Sequence, residues 1–160
     1  MQDLIFRFGE QSDIPQMDIV QSESIAGLCR SHYTDREIEA LVLNLKPDCL
    51  SISQGIFSGF FVYIAEIDRR IVGFCSLDGK GIINDLYVLP KYSRSGIGSQ
   101  LLTSVESIAK QKGIELIRVT ASLNARDFHA QLGYRYLYDT ARSIVSGVVI
   151  KAIEMEKLIS

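Results

Sequence analysis

The apolar positions Ile97, Leu101, Val105 and Ile108 recur at helical spacing, and Leu102 and Ala109 widen the stripe. Lys110 and Lys112 fall in the last turn and Gly113 stands where such a helix stops, so a helix over 97–112 is predicted. Just before it, Leu86-Tyr87-Val88 is an apolar strand segment. The same reading along the chain predicts strand 3–8, helices 13–29 and 35–44, and strands 60–67, 71–77 and 82–88. After the 97–112 helix come strand 115–121, helix 125–132 and strands near 135–140 and 147–157. Residues 45–59, with Gly55 and Gly59, are either a loop or a poorly formed helix.

Asp68-Arg69-Arg70 and Asp78-Gly79-Lys80-Gly81 mark two hairpin turns, which make one half of the sheet antiparallel. The strand-helix-strand passage from residue 82 to residue 121 requires a parallel pair. The expected fold is therefore α/β, a single domain over 1–160 with a mixed central β-sheet flanked by helices.

Between strand and helix lies Ser93-Arg94-Ser95-Gly96-Ile97-Gly98-Ser99. Two glycines let the backbone turn tightly, and the free N–H groups at a helix start attract an anion, so this segment is a candidate pyrophosphate cradle. It is not a P-loop, because Ser99 and Gln100 follow Gly98 where Lys and Ser/Thr are needed. Nor is it a dinucleotide fingerprint: Leu101 takes the place of the third small residue, and the next strand ends in Thr120-Ala121-Ser122 without a carboxylate for a ribose. An ordinary strand-loop-helix connection remains the bland alternative, since a lone Gly-x-Gly is a weak signal.

A second element follows, Ser122-Leu123-Asn124-Ala125-Arg126-Asp127-Phe128-His129-Ala130-Gln131-Leu132-Gly133-Tyr134, in which Ala125, Phe128, His129 and Leu132 share one helical face. Asn124 is expected to cap this helix, with Asp127 in the capping-box position, and Gly133 to end it. Together the two elements resemble the GNAT superfamily of acyl-CoA-dependent N-acyltransferases. The pyrophosphate loop of that family reads Arg/Gln-x-x-Gly-x-Gly/Ala, and its later signature reads roughly Asn/Ser-x-x-Ala-x-x-Phe-Tyr-x-x-x-Gly-Phe. Gly96 and Gly98 match the first, and Ser122, Ala125, Phe128, Gly133 and Tyr134 match the second. The likeness is good over about residues 60–140 and looser over the rest, where Leu4–Phe8 is similar to the family's first strand and Ser12-Asp13-Ile14-Pro15 to the start of its first helix.

The resemblance implies a sheet whose parallel strands splay apart around a thioester, with acetyl-CoA as cosubstrate; the separation of His32 from His129 and the cysteine spacing lead to the expectation of no metal. The cosubstrate would then lie against Leu86, Tyr87 and Val88, on Arg94, Ser95, Gly96, Ile97, Gly98 and Ser99, and beside Ser122, Asn124 and Phe128. Leu86 and Val88 are the expected backbone partners of the pantetheine arm, and the Leu86 amide an expected oxyanion donor. In relatives a carboxylate on this strand often takes the amine proton, and Asp85 is the acid present. A bond from Asp85 to a neighbouring loop is the alternative.

Two residues depart from the family pattern. Ser93 stands where the loop usually begins with Arg or Gln, with Arg94 displaced by one position. His129 replaces the Tyr thought to protonate the departing thiolate. An imidazolium can donate to a thiolate, but the same spacing also fits a core histidine satisfied by a backbone carbonyl. Tyr134, Tyr136 and Tyr138 offer other hydroxyls, each also explained by strand packing.

Acceptor specificity is expected from the first two helices and their loop, which carry Glu23, Ser24, His32, Tyr33, Thr34 and Asp35, with Tyr33 as the candidate cleft residue. The expected partners are a small-molecule or peptide amine and, on family resemblance, a second copy of the chain. An alternative is a module that binds acyl-CoA or a partner without efficient chemistry.

The 160 residues, 47% of them hydrophobic, are enough for one sizeable core. A net charge of −2 with scattered basic residues argues against a nucleic-acid surface. No stretch is long and apolar enough for a membrane span, and Met1-Gln2-Asp3 leads directly into a strand, from which a cytoplasmic location is expected. Cys29, Cys49 and Cys75 lack Cys-x-x-Cys spacing and are expected as buried thiols.

Overall fold

The computed structural model describes residues 3–28, 30–44, 61–143 and 147–159. Residues 45–59, Cys29 and Cys49 lie outside the described residues. The described elements are β1 (Leu4–Phe8), α1 (Ile14–Leu28), α2 (Asp35–Asn44), β2 (Phe61–Ile67), β3 (Arg70–Leu77), β4 (Ile82–Val88), α3 (Ile97–Gln111), β5 (Leu116–Ser122), α4 (Arg126–Gln131), β6 (Arg135–Ser143) and β7 (Val149–Leu158). Three short 3-10 turns, at Gln11–Asp13, Pro90–Tyr92 and Leu123–Ala125, lead into or between them.

The strands form one seven-stranded sheet in the order β1-β2-β3-β4-β5-β7-β6. All neighbours are antiparallel except β4 and β5, which pair in parallel only at Ile82 with Arg118 and Ile83 with Val119. Beyond these two residues β4 and β5 diverge, which gives the mixed sheet and the splayed parallel pair that the resemblance implied.

Local chemistry explains the two hairpins. Asp68 and Arg69 both take positive φ, 51° and 65°, the conformation of a two-residue turn whose twist matches its strands. In the second turn the Asp78 side chain accepts the N–H groups of Lys80 and Ile82 at 2.9 and 3.0 Å, and Gly81 has φ 87°. A Cβ on Gly81 would lie 2.4 Å from the Leu116 carbonyl oxygen, so this glycine is where β4 and β5 are brought together.

Strand β3 is buried along its whole length after Arg70 because helices cover both faces. Gly73 looks toward Leu101 of α3, whereas Ser76, of opposite parity, shares Asp85 with Gln21 of α1. Met17 and Val20 of α1 and Leu101, Leu102, Val105 and Ala109 of α3 are essentially inaccessible, and with Phe74, Leu77, Ile117 and Met155 they make the main core. Helix α3 ends as its sequence implies: Gly113 has φ 82°, its N–H bonds Lys110, and the N–H of Ile114 reaches back to Ala109. The start of α1 is tied to the sheet edge by Arg7, whose guanidinium holds Asp13 at 2.8 Å and Glu66 at 2.8 Å. That hydrogen bond to Arg7 lowers the Asp13 carboxyl pKa.

Candidate functional site

The divergence of β4 from β5 opens a cavity of about 850 Å3. The pairing of β3 with β4 sets what the strand offers to it. Leu89 donates its N–H to Val72 at 2.8 Å, and hydrogen-bonded and non-bonded pairs alternate along an antiparallel ladder. Phe74 with Tyr87 and Ser76 with Asp85 are therefore hydrogen-bonded pairs. Leu86 and Val88 are not, and their N–H and C=O groups turn away from β3 toward the gap left by β5.

The far end of β4 passes through the Pro90–Tyr92 turn into the glycine loop. Ser93, the residue that departs from the family pattern, caps this turn: its hydroxyl donates to the Pro90 carbonyl at 2.8 Å. Ser95 does the same to Tyr92. Arg94 lines the cavity and has φ 61°, a left-handed conformation that is costly for a residue with a Cβ. Gly96, φ 86°, is the N-cap of α3, and the first helical bond runs from Gln100 N–H to its carbonyl. The N–H groups of Ile97, Gly98 and Ser99 thus have no helical partner and carry the positive end of a 15-residue helix.

The two glycines differ in what they contribute. Gly96 is needed for its backbone angle, with open space where a Cβ would stand. At Gly98 no such angle is needed, and a Cβ there would only touch the Phe128 ring at 3.4 Å, so what this glycine provides is close approach of its backbone to the cavity. Ile97 is buried in the core, whereas Gly98 and Ser99 line the cavity.

Beside the loop, and packed on it through Phe128, the cavity wall continues into the segment 122–131. Ser122, Asn124 and Phe128, named above as cosubstrate contacts, line the cavity. The expected Asn124 cap is corrected: Leu123–Ala125 form a 3-10 turn, so Asn124 lies within that turn, and Ala125 is the N-cap of α4 with no side-chain cap bond. Gly133, φ 94°, ends the helix, and the N–H of Tyr134 returns to His129 at 3.0 Å.

His129 borders the cavity with 3% of its surface exposed. Its ring stands edge-on between Phe128 and Tyr134, each 5.2 Å away, and its Nδ1 has no hydrogen-bond partner. Burial pushes its pKa down to about 4, so the imidazole is neutral at neutral pH. Behind it, the Tyr134 hydroxyl donates to buried Glu106 of α3 at 3.0 Å, and Lys157 of β7 pairs with the same carboxylate at 3.0 Å. Nothing local in the sequence announced Glu106, a carboxylate on the buried stripe of α3.

Asp85 is not on the cavity surface. Its carboxylate accepts the Ser76 hydroxyl at 2.6 Å and faces the Gln21 amide at 3.4 Å, beneath α1. Tyr33 is also set back: its ring is 6% exposed, and its hydroxyl donates to the Lys151 carbonyl at 2.6 Å while accepting the Leu123 N–H at 3.0 Å. The cavity surface on this side is formed instead by Ser24, Ile25, Ser31 and His32. A reciprocal capping box follows, Thr34 N–H to Glu37 at 2.9 Å and Glu37 N–H to Thr34 at 3.1 Å, so Thr34 caps α2 at Asp35. The helix predicted over 35–44 therefore begins where it was expected, with Ser31 and His32 in the loop before it.

Residues 29–159 match the family model of the acetyltransferase (GNAT) domain. The chain belongs to the GNAT acetyltransferase family. Solved structures agree with this membership. A GCN5-related N-acetyltransferase from Rhodopseudomonas palustris is 28% identical, with a TM-score of 0.87 over 99% of this chain and 98% of that one. The PaiA N-acetyltransferase of Thermoplasma acidophilum, in complex with coenzyme A, is 22% identical with a TM-score of 0.76 over 98% of this chain and 99% of that one. The YncA protein of Salmonella typhimurium, with its cofactor acetyl-CoA, is 17% identical with a TM-score of 0.69 over 99% and 95%. No curated protein matches the chain in a sequence comparison. In this GNAT domain Cys75 is buried, and burial pushes its thiol pKa up, so it is a packing residue and not a nucleophile.

Proposed function

We propose that the chain is an N-acetyltransferase that moves the acetyl group of acetyl-CoA to a primary amine by direct attack in a ternary complex. The observation that carries this reading is the gap between β4 and β5, where the outward-turned backbone of Leu86 and Val88 faces a cavity that ends on the unpaired N–H groups of α3. The strand backbone suits the amide-bearing pantetheine arm, and the helix start suits a pyrophosphate. The neighbours solved with coenzyme A and acetyl-CoA support this assignment.

The acceptor nitrogen, as the free amine, forms a bond to the thioester carbonyl carbon. The carbonyl oxygen takes the negative charge beside the Leu86 amide; the C–S bond then breaks, the sulfur leaves with the bonding pair, and the proton shed by the attacking nitrogen balances the thiolate, giving an amide and a free thiol. Holding both reactants in one cavity removes the need for a covalent enzyme intermediate. His129, neutral in the folded protein, serves the departing sulfur as a hydrogen-bonding imidazole and not as an imidazolium acid. Asp85, bound to Ser76 and Gln21, holds β4 to α1 on the acceptor side.

The acceptor is a small-molecule or peptide amine. A panel of both, assayed by release of free thiol from acetyl-CoA, tests the reading. Turnover with one class supports it. Tight acetyl-CoA binding with no transfer to any member supports a binding module instead.

A further inference from the structure

We propose that His32 is the group that takes the proton from the acceptor amine, with Ser31 holding its ring. The inference rests on the acetyl-transfer reading and extends it to the acceptor side of the cavity. A primary amine is protonated at neutral pH and cannot attack until it loses that proton, so the cavity needs a base with a route to water.

Few described cavity residues qualify. Arg94 is a permanent cation, and Tyr87 and Tyr92 are phenols. His129 has almost no exposed surface, and burial pushes its pKa down to about 4, too weak a base to hold a proton at neutral pH. Asp127 is on α4, next to the Phe128 ring that packs on the glycine loop, and so belongs to the pyrophosphate wall. Asp85 is committed to Ser76 and Gln21 and does not line the cavity.

His32 lines the opposite wall and is exposed, so a proton it accepts can pass to solvent. The Ser31 hydroxyl lies 2.8 Å from its Nδ1. In the tautomer whose Nδ1–H donates to that oxygen, Nε2 keeps a free lone pair, the arrangement a base requires. The segment is anchored although the side chain is exposed. Next in the chain, Tyr33 is fastened to Lys151 and Leu123, and the Thr34–Glu37 box then starts α2.

The test is the pH dependence of turnover for wild type, His32→Gln and Ser31→Ala, with acetyl-CoA affinity measured in parallel. The charged groups that bear on His32 are Arg30 and Asp35, 3.9 Å apart on its own segment, and Arg94 and Asp127 across the cavity. His32→Gln leaves these in place. It should keep its acetyl-CoA affinity and lose at least about 100-fold in kcat near neutrality. The deficit should shrink toward pH ~10, where the amine is already free. Ser31→Ala should lose less, with the same dependence on pH. His32→Asn is the second variant, should the glutamine form not fold. A deficit equal at every pH, or none, overturns the role of His32 and leaves acetyl transfer standing. Absence of acetyl-CoA binding, or binding without turnover in the wild type, overturns acetyl transfer and the His32 assignment with it.

Discussion

The Tyr33 hydroxyl accepts the backbone N–H of Leu123 at 3.0 Å, joining the turn after α1 to the turn that carries the opposite wall of the cavity. The same oxygen donates to Lys151, so one side chain fixes the width of the cleft from behind. Tyr33→Phe keeps the ring and removes both bonds, leaving the Leu123 N–H without that partner. A loss of about 1–3 kcal/mol in urea unfolding is expected. A change below ~0.5 kcal/mol would show that the bridge does not hold the two walls.

The Glu106 carboxylate serves Tyr134 and Lys157 together, and this cluster backs the α4 end of the cleft. Burial, and then the Glu106 charge, raise the Tyr134 phenol pKa, so it remains a donor. Glu106→Ala strands the donor and the ammonium, and because Lys157 keeps 26% of its side chain in solvent the expected loss is about 2–3 kcal/mol. Glu106→Gln, which can still accept from Tyr134, should lose less. A double-mutant cycle with Tyr134→Phe measures the coupling, and a coupling near zero would contradict the cluster.

His129 makes stability depend on pH in a stated direction. Its folded pKa, about 4, lies below the ~6.5 of an unfolded histidine, so between these values the unfolded chain binds a proton that the folded chain does not. Stability is therefore lost as pH falls from ~6.5 to ~4, by about 3 kcal/mol for this group. Asp13, with its depressed carboxyl pKa, adds a separate loss at lower pH. Unfolding of wild type and His129→Phe from pH 7 to 4 separates the two. Parallel curves would show that the imidazole is not buried neutral.

At the β2–β3 turn, Arg69 holds φ 65° at a steric cost that glycine does not incur. Arg69→Gly should raise stability by about 0.5–1 kcal/mol, less than the full strain because glycine loses more entropy on folding. A lower Tm for this variant would mean that the arginine side chain makes a compensating contact.

Features written in local patterns were legible before the structure. The helical stripe from Ile97, the Gly113 stop and the Asp78–Gly81 turn depend on residues close in sequence, and each stands where it was expected. Asn124 shows the limit of such signals. The chain tightens into a 3-10 turn before α4, and a residue of good capping type falls inside it. The positions of Asp85 and Tyr33 were illegible for another reason: their partners Gln21, Ser76, Leu123 and Lys151 come from other elements. Strand parity puts Asp85 and Tyr87 on one face but does not say that α1 covers the carboxylate. Glu106 was hidden in the same way, because its partners lie 28 and 51 residues away.

Calorimetric titration of the purified protein with acetyl-CoA, with ATP and NAD run alongside, tests the central claim most directly. Saturable binding of acetyl-CoA, weakened by Gly96→Ala and absent for ATP and NAD, is the predicted result. No acetyl-CoA binding, or equal binding of all three ligands, would contradict the assignment of the β4–β5 gap and the α3 start to acetyl-CoA.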